Sequence, residues 1–321
     1  MTSNNPQDFL PERLARPIRF GAEGAQASLY VAEGSSALEI TVVATSQRPK
    51  RAWIADVWKQ RWDRRPAPVL VAAIYGDFAA LAIPVGEAPE VVFDLPIDQA
   101  RRLCDAALDE TGPEAARRFL INQLPTLEGE LPGLRNEGLF ATHALKTFTA
   151  GQAADQNAIR AAKRNGRPML QELGFDVADA DNLSLLLQQG DKEKALAILL
   201  QRDEVPEQKN DRFNGLSPVS YAITKGEDRN LPWVMLLRGK ELRLYPTQNK
   251  GVSARGSTET YLELNLATLA QDRIGLLWSL FSAEALAEGG TVEQLLEQSL
   301  RFAADLATKL RERIYTETVP K

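Results

Sequence analysis

Val234, Met235, Leu236 and Leu237 form an unbroken apolar run, followed at once by Arg238-Gly239-Lys240 and then by Leu242, Leu244 and Tyr245. A run this short and this apolar predicts a strand buried on both faces, and the glycine lets the chain reverse into a second strand. The segment 231–246 therefore predicts a hairpin deep inside a domain, and the rest of the chain is expected to be arranged around it.

Length and composition limit what that domain belongs to. With 321 residues, 44% hydrophobic and 25% charged, the chain can bury substantial cores and is expected to divide into two or three modules. No stretch approaches the roughly 18 apolar residues of a membrane span, and the polar start MTSNNPQDFLPERLARP lacks an apolar signal segment. A cytoplasmic protein without a membrane partner is expected. Cys104 and His143 are the only residues of their types, which excludes an internal disulfide and the usual Cys/His zinc frameworks. Only carboxylates remain as metal ligands. A net charge of −5 argues against a protein coated all over by polyanion and leaves room for a local basic strip.

From Ala27 to Pro96 the pattern predicts a small α/β module: a hairpin of 28–31 and 38–43 around Gly34-Ser35-Ser36, a helix from Ala52 to Arg61, and a second hairpin of 69–75 and 78–85 around Gly76-Asp77. Basic residues interleave with Trp53, Trp58 and Trp62 between Arg48 and Arg65. That interleaving suits either a strand of nucleic acid or tryptophans pinning a helix whose charges face water. Two helices follow, 97–108 and 113–124, each with a proline near its start. Cys104, among Leu103, Ala107 and Leu108, is expected in a core. Residues 131–168 are expected to be a connector that ends in a basic helix carrying Arg160, Lys163, Arg164 and Arg167.

Beyond a short helix at 169–175, Leu183–Gln188 and Ala195–Leu200 predict two strands around Gly190-Asp191, and Ser217-Pro218 predicts the start of a helix leading into the central hairpin. The last part is helical: 274–287, apolar nearly all round, then a helix from Thr291 with a capping box to Gln294. Its stripe runs Val292, Leu295, Leu296, Phe302, Leu306, Leu310 and Ile314. That helix is long enough to cross another surface.

The hairpin wording LLRGKELRLYP, preceded by a helix, resembles the closing hairpin of nuclease-like domains in restriction-modification proteins, where the usual text is close to LTNGxxWRLY. RNEGLFATHALK, LFSAEAL…GGT and FAADLATKLRERIY…VP are similar to segments of adenine-specific DNA methyltransferases of restriction and phage-defence systems. The resemblance runs from Arg135 to Pro320. Together with the patterning of the N-terminal part, it implies an α+β chain with these parts: an N-terminal α/β module with two helices (1–130), a connector (131–168), a PD-(D/E)xK-like mixed-sheet nuclease domain (169–270) and C-terminal helices (271–321). It also implies DNA and a methyltransferase subunit or downstream methylase domain as partners.

A hydrolytic site of that family needs an Asp near the first strand and a Glu-x-Lys at the end of the second, so that carboxylates hold Mg²⁺ and the Lys orients water. Here the text "vvEaKr" is replaced by Ile198-Leu199-Leu200-Gln201-Arg202, and Asn182 or Ser184 stands where the Asp is expected. The expectation is a degenerate site with no cofactor. Mg²⁺ enters only under the alternative of a displaced site using Asp203, Glu204 and Lys209. The DNA-contacting candidates are Arg160, Lys163, Arg164, Arg167, Arg238, Lys240, Arg243, Lys250 and Arg255, because from Arg229 to Arg255 six Lys/Arg stand against Glu241 alone. Three functions remain open: a non-catalytic DNA-engaging module, a Mg²⁺-dependent endonuclease, and a protein-interaction scaffold using the terminal helix. The text ends at Lys321 without a methylase, which leaves a fragment, a split subunit or a standalone protein. No Gly-rich strand end suited to S-adenosylmethionine is present, so methylation by this chain is not expected.

Overall fold

A computed structural model describes residues 5–20, 25–34, 37–62, 67–127, 131–248, 251–252 and 255–318. The chain divides into two compact units, 1–133 and 134–321, each built on its own mixed sheet.

The first unit carries β1 (Arg16–Phe20), β2 (Ala25–Val31), β3 (Glu39–Ala44), α1 (Arg51–Trp62), β4 (Val69–Tyr75), β5 (Phe78–Ile83), β6 (Glu90–Pro96), α2 (Ile97–Leu108) and α3 (Pro113–Leu127). The six strands lie in sequence order, and only β3 and β4, joined through α1, run parallel. All seven residues of β4, VLVAAIY, are buried, as a strand covered on both faces requires. Leu70, Ala72 and Ile74 face a core with Leu103, Cys104, Phe119 and Leu120 of α2 and α3. Val69, Val71 and Ala73 face Ile54, Val57 and Trp58 of α1. The indole N–H of Trp58 donates to the Val69 carbonyl at 2.7 Å, and Trp62 stacks on Trp58. Trp58 thus pins the helix, whereas Trp53 and Trp62 stay partly exposed.

The second unit contains β7 (Leu134–Glu137), α4 (Thr142–Ala150), α5 (Gln156–Ala162), α6 (Gly166–Glu172), β8 (Asp176–Asp179), β9 (Ser184–Gln189), β10 (Lys192–Leu199), α7 (Pro218–Asp228), β11 (Trp233–Arg238), β12 (Glu241–Pro246), β13 (Tyr261–Asn265), α8 (Gly275–Phe281) and α9 (Thr291–Thr318). Its strand order is β7-β13-β12-β11-β10-β9-β8, with β10 and β11 parallel through α7 and all other neighbours antiparallel. The predicted hairpin is β11–β12, at the middle of the sheet. Gly239 takes φ +58° in its turn, a conformation that L side chains rarely adopt. Ser217 caps α7 by accepting from Ser220 N, with Pro218 as first residue.

Two expectations about organisation are corrected. Residues 131–168 are not a connector: β7 pairs with β13 as an edge strand, and α4 and α5 pack on α9 and α8. For the same reason 271–321 is part of the second unit and not a separate helical segment. At Gly275, the start of α8, a Cβ would lie 1.9 Å from the Ala153 carbonyl oxygen, so only glycine lets the helix come this close. The predicted capping box at Thr291 is replaced by Glu293, which accepts from Gly289 N at 2.5 Å, while the Gln294 side chain donates to the Gly289 carbonyl.

Along α9, Val292, Leu295, Leu296 and Ser299 are buried, but Leu300, Phe302 and Leu306 are 41–48% exposed. The side chains of Leu310 and Ile314 lie outside the described residues. His143 of α4 stacks on Phe302, with ring centroids 5.2 Å apart. Among the described residues no helix is long and apolar enough to cross a membrane.

Candidate functional site

The β9–β10 hairpin brings Ser184 opposite Ile198. Ile198 and Leu200 point into the core under α7 with Phe213, Val219, Ile223 and Leu236. At the positions where a hydrolytic carboxylate is expected, Leu200 is therefore packed in the core and Leu199 is half-buried, while Gln201 and Arg202, at the lysine's place, are exposed. Asp191 sits in the turn at the other end of the hairpin, some seven residues or about 20 Å away.

Two carboxylates do flank the Ser184–Ile198 end, and both are already engaged. Asp181 accepts from the Leu183 and Ser184 amides at 2.8 Å each and from the Tyr221 hydroxyl at 3.2 Å. Burial opposes its charge, but these donors hold its carboxyl below the usual range. Glu204 is buried and accepts from Arg212 at 2.6 Å, Gln201 N at 2.8 Å and Asn210 at 3.2 Å. Asp203 and Lys209, its expected partners in a displaced site, are exposed. Among the described residues no group of three or more His, Cys, Asp or Glu is placed to hold a metal ion. A carboxylate already paired to a guanidinium and two amides, as Glu204 is, is a poor Mg²⁺ ligand.

Part of the basic strip folds inward, which corrects the expectation of solvent-facing cations for Arg243 and Arg238, whereas Arg255 is exposed. On the α7 face of the sheet, β12 carries Glu241, Arg243 and Tyr245, and β13 carries Tyr261 and Glu263. Arg243 is only 5% exposed. It donates to Glu207 at 2.5 Å, and its Nε lies 3.0 Å from Glu241 and 2.9 Å from Glu263 Oε2. The Nε approach to Glu263 has ion-pair distance but not hydrogen-bond geometry, leaving both atoms without a hydrogen-bond partner. The guanidinium also lies 5.0 Å from the Tyr261 ring. Arg238 pairs with Glu241 at 2.9 Å, and Arg255 with Glu137 at 2.8 Å.

Burial opposes the charge of Glu241, but Arg243 and Arg238 outweigh it and hold its carboxyl low. Glu263, pushed the same way by burial and further by Glu241, rises to about 7. Arg243 is held above its ordinary value by the surrounding carboxylates despite burial.

Lys240 has a different task. Its ammonium donates to the carbonyls of Ala162 and Arg164, at the junction of α5 and α6, and burial lowers its pKa. The single basic helix expected at 150–167 is broken there, because Gly166 takes φ +57° and a new helix starts. Lys240 thus fastens the junction that presents Lys163 and Arg164 to solvent, with Arg160 nearby. Arg160 lies 3.7 Å from Glu172, and Arg167 pairs with Asp179 at 3.1 Å. Lys250 lies outside the described residues.

The chain matches no family model, no curated protein and no solved structure.

Sequence reasoning missed the ionic network because its acids come from elsewhere. Glu207 and Glu263 lie outside the window in which six cations face Glu241 alone. The alternation in Tyr261-Leu262-Glu263-Leu264 was the available signal: a strand with charge on one face, beside a strand with Arg on the matching face.

Proposed function

We propose that residues 134–321 form a restriction-nuclease-like domain that engages DNA without cutting it, as a non-catalytic module or split subunit of a cytoplasmic restriction-modification or phage-defence methyltransferase system. The observation that carries this reading is the β9–β10 hairpin leading through α7 to the parallel strand β11 and the closing strand β12, with the apolar Leu199 and Leu200 where a hydrolytic carboxylate is expected and Leu200 buried in the core. The exposed cations at the α5–α6 junction, Arg160, Lys163 and Arg164, supply the phosphate-facing surface in place of the internal strip.

Duplex DNA incubated with the chain and Mg²⁺ or Mn²⁺ is expected to remain intact. Metal-dependent cleavage that is lost in Asp203→Ala, Glu204→Ala or Asp181→Ala would establish a displaced active site instead.

A second reading rests on α9. Leu300, Phe302 and Leu306 are exposed on a long helix, which suits a protein-interaction scaffold. A methyltransferase subunit is the partner this reading shares with the first.

A further inference from the structure

The β9–β10 ladder is irregular at Lys194: Glu193 pairs with Gln188 and Ala195 with Leu187, so Lys194 has no residue opposite it. An extra residue of this kind breaks the strict alternation and re-aims its side chain. Lys194 lines a cavity of about 480 Å³ together with Trp233, Pro232, Leu286 and Leu296. The residue is nevertheless only 7% exposed, and among the described residues no carboxylate, carbonyl or ring engages its ammonium, which keeps accessible surface.

An ammonium on a nine-tenths-buried residue, facing a cavity without a counter-charge, makes that wall of the cavity complementary to an anion. The cavity is also large enough for a drug-sized organic molecule. Its other charges are balanced or shallow. Lys192 lies 3.8 Å from Glu288, the Glu293 carboxylate is used by the Gly289 amide, and Glu193 is exposed. These three glutamates, Glu193, Glu288 and Glu293, all line the cavity. They repel any anion in proportion to its charge, so a single carboxylate held directly at Lys194 is tolerated better than the multiple charges of phosphate esters or nucleic acid.

We propose that this cavity binds a small aromatic monocarboxylate, its carboxylate against Lys194 and its ring against Trp233, Leu286 and Leu296. The site is separate from the α5–α6 junction, so it stands whether or not the chain binds DNA.

Calorimetric titration of the full chain with indole-3-acetate and indole-3-acetamide tests the assignment, since the two probes share a body and differ in charge. The acid is expected to bind about tenfold or more tightly than the amide, a difference of about 1.4 kcal/mol. Lys194→Met is expected to erase that preference while melting no lower than the parent, because it removes a buried charge and keeps the apolar stem. Leu296→Trp, which fills the cavity from α9, is expected to weaken both probes. No detectable binding of the acid, equal affinity for acid and amide, or an unchanged preference in Lys194→Met would each overturn the proposal. Undiminished binding in Leu296→Trp would place the probes elsewhere and overturn it too.

Discussion

Arg243→Met is expected to lower the unfolding free energy of the second unit by about 3–5 kcal/mol, the range typical of removing one partner from a buried ion cluster. Arg243 is the positive centre for Glu241 and Glu263, which are themselves buried, and it binds Glu207 at the rim. Without it, two carboxylates stand in the interior with Arg238 as the nearest remaining partner of Glu241. Methionine keeps the volume but supplies no charge, so the loss measures the stranded acids more than lost packing. Urea unfolding of the parent and variant measures it. The triple change Arg243→Met, Glu241→Gln, Glu263→Gln is expected to recover most of the stability, because it removes the acids together with their partner. A loss under about 1 kcal/mol in the single variant would mean that the network is solvated and the cations do face outward.

The second large effect is a fall in stability as pH rises from about 4.5 to 7. In the unfolded chain Glu263 ionises near its usual 4.5, whereas in the folded protein burial and the neighbouring Glu241 hold its proton until about 7. Between those values the native state binds the extra proton, so stability decreases with pH and levels off above 7. The full displacement corresponds to an effect on the order of 3 kcal/mol. Glu241 acts in another window: its folded value is lowered, so its contribution is present above about 4.5 and is lost as pH falls through the lowered value. Glu263→Gln is expected to flatten the profile between pH 5 and 7 and to be at least as stable as the parent at pH 8. Melting curves across that range check it. A parent whose stability rises over the same interval would contradict the assignment.

The interior of both sheets was legible because apolar patterning speaks directly about burial. The run VLVAAIY and the hairpin around Gly239 fell where their sequences indicated, and Ser217-Pro218 marked the start of α7. The edge strands β1, β6, β7 and β8 were not legible, being short or half-exposed with polar residues that read as turns or connectors. β13 was missed although it is fully buried, since two of its five residues, Glu263 and Asn265, are polar. The candidate surface was read from local charge density, and local density cannot report that Arg243 is neutralised by residues 20 and 36 positions away. Nor does a count of cations distinguish Lys240, which caps the end of α5, from Lys163 and Arg164, which face water. The apolar run 198–200, by contrast, was legible as the end of a strand, and two of its residues, Ile198 and Leu200, are core.

The affinity of the full chain for a short duplex DNA, followed as salt is raised from low to physiological concentration, tests the central claim most directly. The expected result is measurable binding at low salt with a steep linear decline of log affinity against log salt, as counterion release requires. In the Arg160→Glu, Lys163→Glu, Arg164→Glu variant both affinity and slope are expected to shrink while the melting temperature is kept, since those side chains are exposed. No binding at low salt, or a parent and triple variant with the same affinity and slope, would contradict the account and leave the exposed apolar residues of α9 as the functional surface.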